Sequence, residues 1–350
     1  MNLNPILMIF ISCSIKLFSG TKYNLTQIPC GKQMIEKSPQ SNNTKIINRY
    51  RRIVSGVNSY YGEWPWIASL KNPVLKELIE KYAPTYMNWS LVGSDSHICG
   101  GTLINSEWIV TAQHCLYYNF SPQAIAITAN WSATLGAYDI SGYSQHSISI
   151  KIDKVIFQEN SFGMDLDDND FAMMHLSTAV NFTDYIYPAC LPTNPLATPG
   201  NICYAVGWGT SYSLNETTNL DDGLSPGHAL VNPILKHATL LIRERKESKA
   251  CNTQTVKEIC TSPLSGSVCR GDSGGPLLCQ GENQSWIFVG ITVRGSGCQK
   301  KTDRSIFTSV YHYLDFLVQT MNHSPKNVKI PIYHLQIIFT IFVTFLVFLL

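Results

Sequence analysis

The feature that most constrains this chain is a strand-like rhythm running from Ile53 to about Thr308. Short runs rich in Ile, Val, Tyr and Thr, such as Gly101–Thr111, Ser147–Phe157, Cys203–Gly209 and Trp286–Val293, are separated by Gly, Pro, Asn and Ser. Branched and aromatic side chains suit a pleated, half-buried surface, and frequent turn residues fold each run back on the last. The pattern predicts an all-β antiparallel fold. Two stretches carry helical spacing instead. Val74–Tyr82 places Val74, Leu75, Leu78, Ile79 and Tyr82 on one face, and Val310–Met321 does the same with Val310, Leu314, Leu317 and Val318.

The flanks of this region point to a compartment. The formal net charge of +2 on 350 residues gives no sign of nucleic-acid binding. Eleven cysteines, and Asn-X-Ser/Thr sites at Asn24, Asn42, Asn88, Asn119, Asn130, Asn181, Asn215, Asn283 and Asn322, fit the secretory pathway. Residues 1–20 read as a signal peptide, with an apolar run Ile6–Ile11 and small residues Ser12, Ser14, Ser19 and Gly20 near a cleavage point. The absence of a basic n-region residue and the presence of Lys16 leave a buried N-terminal strand as the alternative. At the other end, Leu335–Leu350 would make roughly 24 Å of helix, short of an about 30 Å hydrocarbon core. A polar spacer before this tail, with Asn322 and Ser324 as the small-residue region, reads as a GPI signal over 323–350. A single-pass anchor and a buried terminal helix are the alternatives. The expected location is extracellular, at the cell surface.

Three segments carry chemistry. Cys269-Arg270-Gly271-Asp272-Ser273-Gly274-Gly275-Pro276 sets a serine among glycines, which free the backbone and let N–H groups approach a carbonyl. A hydroxyl needs a base to become a nucleophile, and the base needs a carboxylate to hold its tautomer. Thr111-Ala112-Gln113-His114-Cys115 and Asp170-Phe171-Ala172-Met173-Met174 lie upstream in that order. The three segments together resemble the trypsin/chymotrypsin-like serine proteases, over Cys30 and then about Ile53–Met321.

The resemblance implies two packed six-stranded antiparallel β-barrels with a C-terminal helix, over a protease domain 53–322. It makes Ser273 the nucleophile, His114 the general base and then acid, and Asp170 the orienting carboxylate. Gly271 and Ser273 would give the oxyanion-hole N–H groups. Asp165, Asp167 and Asp168 compete for the carboxylate role; Asp170 is chosen because the family's aspartate opens an apolar strand. The polar segment 21–52 would be a pro-segment. It ends Arg49-Tyr50-Arg51-Arg52 before Ile53-Val54-Ser55-Gly56, so an activating protease cutting after Arg52 would free an Ile53 amine to pair with Asp272. In family terms the disulfides are Cys30–Cys190, Cys99–Cys115, Cys203–Cys279, Cys251–Cys260 and Cys269–Cys298, leaving Cys13 in the signal peptide. The product would be a monomer of two disulfide-linked chains.

Substrate preference departs from trypsin. Ser267, six before the nucleophile, replaces the aspartate that would meet a basic P1 side chain. Thr292-Val293-Arg294 stands where the family has Ser-Trp-Gly, and Ser305 where a glycine lines the pocket. Thr292 keeps a hydroxyl near the triad, and Val293 removes an aromatic platform. Arg294 and Arg270 would sit at the pocket rim, leaving three readings: a small apolar pocket under exposed arginines, acidic P1 selection, or a pocket blocked by Arg294. Gln113 replaces a small residue beside the histidine. The long Leu70–Cys99 interval would add an exosite or steric gate, or a tolerated surface loop, and the short Cys251–Cys260 interval would reshape the cleft. No motif calls for a cofactor or metal. The expected partner is a protein or peptide substrate; a catalytically silent homologue acting as a surface binding protein is the competing class.

Overall fold

The computed structural model describes residues 29–35, 56–82, 97–118, 125–126, 128–142, 144–157, 169–209, 211–212, 229–230, 233–244, 255–295 and 304–323. The expected signal peptide, most of the expected pro-segment with Arg52 and Ile53, the competing Asp165, Asp167 and Asp168, Cys251, Cys298 and the tail from Ser324 lie outside the described residues. The chain divides into one unit of Leu25–Leu314 and another of Met1–Asn24 with Asp315–Leu350.

The first barrel is built in chain order after a short strand β1 (Val57–Asn58). Its strands are β2 (Ile67–Lys71), β3 (His97–Leu103) and β4 (Trp108–Thr111). A two-residue ladder of β5 (Tyr117–Tyr118) and β6 (Ile125–Ala126) intervenes. Then come β7 (Ser132–Leu135), β8 (Ile148–Phe157) and β9 (Ala172–Leu176), and the ring closes as β2-β3-β4-β9-β8-β7. The sequence reads Gly101–Thr111 as a single run, and the structure breaks it. Asn105 Oδ1 accepts from the Glu107 and Trp108 amides, each at 2.8 Å, and turns the chain between β3 and β4. After β2, Asn72 caps helix α1 (Pro73–Tyr82), its Oδ1 accepting from Val74 and Leu75 N–H at 3.1 Å.

The second barrel uses β10 (Ile202–Gly207), β13 (Lys236–Arg243), β14 (Glu258–Pro263), β15 (Pro276–Gln280), β16 (Trp286–Gly295) and β17 (Ser305–Ser309). A minor ladder of β11 (Ser211–Tyr212) and β12 (Ala229–Leu230) stands outside it. The order β13-β10-β15-β16-β17-β14 closes through a β13–β14 pairing, and β1 extends the sheet beside β13. β13 alternates half-exposed and buried residues, so Ala238, Leu240 and Ile242 point into a core shared with Ile259, Leu277 and Phe307. The chain ends, among the described residues, in a 3₁₀ turn Val310–Tyr313 and helix α2 (Leu314–His323), a tighter start than the single helix read from Val310–Met321. Leu317 and Met321, one turn apart on α2, are buried.

Three disulfides close within the described residues: Cys30–Cys190, Cys99–Cys115 and Cys203–Cys279. The first ties the 29–35 segment to the body, and Gly31 bonds both ways beside it, to Pro188 O and from Trp286 N, at 2.8 Å each. Cys260 and Cys269 are also disulfide-bonded.

Candidate active site

β3 explains where the site forms. All its residues are buried, because the face turned away from the first barrel is covered by the glycine turn of the second. Gly100 N–H donates to Ser273 O at 2.7 Å. Gly274, at φ 76°, lies so close to Thr111 Oγ1 and Gly100 O that a Cβ would overlap them, so only glycine fits there. The turn carrying Ser273 is thereby pressed against Thr111 and Ala112, the residues leading into His114. On its other side, Gly274 N–H donates to Thr292 O and Thr292 N–H to Gly275 O, at 2.8 and 2.9 Å, which locks β16 to the turn.

His114 sits in a 3₁₀ turn at the end of β4. Its Nδ1 lies 2.6 Å from Asp170 Oδ2, and its own backbone N–H donates to Asp170 Oδ1 at 2.8 Å. Asp170, just before β9, is 1% exposed, whereas the His114 side chain keeps 26% of its surface open. A carboxylate can only accept, so Nδ1 carries the proton and Nε2 is left as the accepting nitrogen. Burial disfavours the imidazolium, but the charge of Asp170 and its hydrogen bond outweigh that, and the His114 pKa is raised above its ordinary value. Asn169, next to Asp170, accepts from Lys257 Nζ at 2.8 Å and Tyr313 OH at 3.1 Å, and Phe171 stacks on Tyr313 at 4.5 Å. Thr292 is buried on β16.

Asp272, partly buried, occupies a second corner. Its carboxylate accepts from Gly209 N–H at 2.8 Å and Cys269 N–H at 2.9 Å. Burial nevertheless dominates and pushes its pKa up to about 6, against those two N–H groups and the Lys236 charge. A cavity of about 30 Å³ lies beside it, with Gly56, Lys236 and Ser267 on its wall. Above Asp272, Gly271 O accepts from His97 Nε2 at 2.9 Å, and His97 Nδ1 meets Ser69 Oγ at 2.8 Å. Sequence reading passed over His97 and Ser69, since neither lies in a motif.

The residues expected around substrate divide into two groups. Ser267 and Ser305 are brought together: Ser305 Oγ accepts from the Val268 amide at 3.4 Å, and Ser305 O accepts from Thr261 Oγ1 at 3.1 Å. Both serines are buried and neutral. Val293 is partly buried on β16, and Arg270 is exposed just ahead of Gly271. Arg294 goes elsewhere. Its Nη2 lies 3.0 Å from Oε1 of Glu258, a residue only 3% exposed. Glu258 was missed, although an acidic residue opening the apolar Glu258-Ile259-Cys260 run signals a buried charge that needs a partner. Cys99, Cys115 and His114 also cluster in the way of metal ligands, but both sulfurs are spent in one disulfide.

Two closed antiparallel barrels, with an imidazole–carboxylate pair beside a glycine-bounded serine, define the serine peptidase class of fold. A family model described as Trypsin matches residues 53–317, and the chain belongs to that family. Members of this family are hydrolases of protein and peptide substrates. No helix among the described residues is long and apolar enough to cross a membrane.

Proposed function

We propose that the protein is a secretory-pathway serine endopeptidase made as a zymogen, with Ser273, His114 and Asp170 as its triad. The observation that carries this reading is the 2.6 Å contact between His114 Nδ1 and a buried Asp170, in a histidine whose other nitrogen is left to accept a proton. In the reaction, Ser273 Oγ attacks the scissile carbonyl while His114 Nε2 takes its proton. The oxyanion of the tetrahedral intermediate faces the N–H groups of Gly271 and Ser273. His114 then protonates the leaving amine as the C–N bond breaks, and water hydrolyses the acyl-enzyme by the same steps in reverse order. Asp170 keeps the Nδ1 proton in place and offsets the imidazolium charge.

Activation follows from Asp272. Cleavage after Arg52 would free the Ile53 amine, and Gly56 on the wall of the cavity beside Asp272 lies within roughly 10 Å of extended chain from Ile53. A buried ammonium there would answer a carboxylate whose burial two N–H groups and the Lys236 charge only partly offset. The Cys30–Cys190 bond would keep the 21–52 pro-segment attached after cleavage. Neutral Ser267 and Ser305 favour uncharged P1 side chains over Lys or Arg. The 1–20 signal peptide and the 323–350 GPI signal would place the enzyme at the cell surface, and release by a phosphatidylinositol-specific phospholipase tests the anchor.

The decisive experiment is covalent labelling with a fluorophosphonate after cleavage at Arg52, with Ser273→Ala as control. Labelling of the wild type alone is the expected result. A cleaved wild type that stays unlabelled overturns the enzyme in favour of a silent binding homologue.

A further inference from the structure

Arg294 is placed by a one-residue irregularity in the sheet. In the β16–β17 ladder Thr292 pairs with Phe307 and Arg294 pairs with Ile306, so Val293 is an extra residue on β16. Without that bulge Arg294 would stand opposite Ser305. Neighbouring residues of a strand face opposite sides, so the shift moves Arg294 from the face of Ser305 to the other one. Ser305 turns its hydroxyl to the Val268 amide, beside Ser267. Ile306 turns the opposite way, next to its β14 partner Cys260, and Glu258, two residues earlier on β14, shares the face of Cys260. The ion pair spans this row. Its acidic end is 3% exposed and its basic end 41% exposed, so Glu258 is the fixed anchor and Arg294 the arm with room to move.

We infer that Glu258 is a positioning residue for specificity: by tethering Arg294 on the face opposite Ser305, it keeps a cation out of the substrate pocket and sets a preference for uncharged P1 side chains. The inference rests on the endopeptidase reading given above. It also separates the three roles open to Arg294 in the sequence, since a tethered guanidinium neither plugs the pocket nor meets an acidic substrate side chain. Losing the Glu258 charge would remove this ion pair while leaving the cation one strand residue from the Ser-lined pocket. Replacement by glutamine is nearly isosteric, and Glu258 lies on the wall of a cavity of about 370 Å³ rather than in the packed core.

The test compares kcat/KM for matched peptides carrying Asp or Glu against Ala, Ser or Val at P1. Wild type is expected to favour the uncharged set. Glu258→Gln should raise the acidic-to-neutral ratio by about tenfold or more, as a rim cation becomes available to the substrate carboxylate. Glu258→Gln with Arg294→Ala should return the ratio to near its original value, and Glu258→Asp, which keeps the charge, should stay closer to wild type than Glu258→Gln. Wild type that already prefers acidic P1 overturns the inference, and this outcome needs no variant to fold. So does a Glu258→Gln enzyme that takes the fluorophosphonate label yet shows an unchanged ratio. Binding of the same peptides to Ser273→Ala, with and without Glu258→Gln, reads the same preference without turnover, so failure of catalysis and failure of the tether give different results.

Discussion

Asp170 and Asp272 are two carboxylates of the candidate site, and they differ in how the cost of their burial is offset. Asp170 has its basic partner within the folded chain: His114 bonds it through both Nδ1 and the backbone amide. Asp272 has backbone N–H groups from Gly209 and Cys269, and burial still pushes it up to about 6. The first barrel and its linker therefore complete their share of the site from residues already in place. The second barrel carries a carboxylate whose burial is under-compensated, a corner that a new cation would relieve. Under the proposed zymogen reading, one half of the site is built by folding and the other half waits on cleavage.

The largest effect expected is at the finished corner. Asp170→Asn replaces an acceptor by an amide that can donate, which favours the wrong imidazole tautomer. A fall in kcat of about 10⁴-fold is expected, the size such a change has in a related trypsin-fold peptidase. Its pH profile should move as well. Activity requires neutral His114, whose pKa is raised in the wild type, so the acidic limb should lie above the ordinary histidine value and shift downward in Asp170→Asn. Equal pH profiles in the two enzymes would break the assignment of Asp170 as the charge that holds His114.

At the unfinished corner the effect is smaller and depends on processing. In the protein cleaved after Arg52, Asp272→Asn should lower kcat by about 10²–10³-fold, the scale of losing an oxyanion-hole donor. Before cleavage the same substitution should change little, because the pairing it removes has not yet formed. An equal loss of fluorophosphonate reactivity before and after cleavage would show that the two corners mature together.

Stability gives a third comparison. A carboxylate raised from 3.8 to about 6 binds its proton more tightly when folded, so its contribution is fully present below pH 3.8 and is lost as pH rises through about 6. Uncleaved protein, secured by Arg52→Ala, should lose up to about 3 kcal/mol across that window in urea unfolding. Protein cleaved at Arg52 should lose much less, because an ammonium partner lowers the folded pKa again. Parallel pH curves for the two forms would mean that Asp272 stays unpaired after cleavage.

Much of this contrast was legible before any coordinates. His114, Asp170 and Ser273 are candidates from local contexts that can be read in the chain, the strand rhythm gave an all-β fold, and the two barrels came from the resemblance. What stayed hidden was pairing across long sequence intervals. Nothing near Arg294 in the chain points to Glu258, and the bulge at Val293 that turns the arginine over is a property of the β16–β17 register, invisible to a period-two pattern. His97 and Ser69 were missed for the same reason: each is an ordinary strand residue until the fold sets Ser69 Oγ against His97 Nδ1 and His97 Nε2 against Gly271 O. The Gly101–Thr111 run reads as one strand because a single Asn105 does not announce that its Oδ1 will accept from the Glu107 and Trp108 amides and turn the chain.

The smallest effect expected probes how firmly Asp170 is held by its own pair of bonds. Lys257 and Tyr313 grip the neighbouring Asn169, so Lys257→Met would loosen the approach to Asp170 without touching His114. One hydrogen bond to a charged donor is worth about 1.5–3 kcal/mol when removed, and less at a half-exposed site, so a stability loss of about 1 kcal/mol is expected. If the two His114 bonds alone fix the carboxylate, kcat should fall less than about tenfold and KM should not move, since a rise in barrel flexibility is not a change in tautomer. A loss approaching that of Asp170→Asn would mean that Asp170, like Asp272, depends on a cation outside its immediate contacts, and the difference between the two corners would then be one of degree.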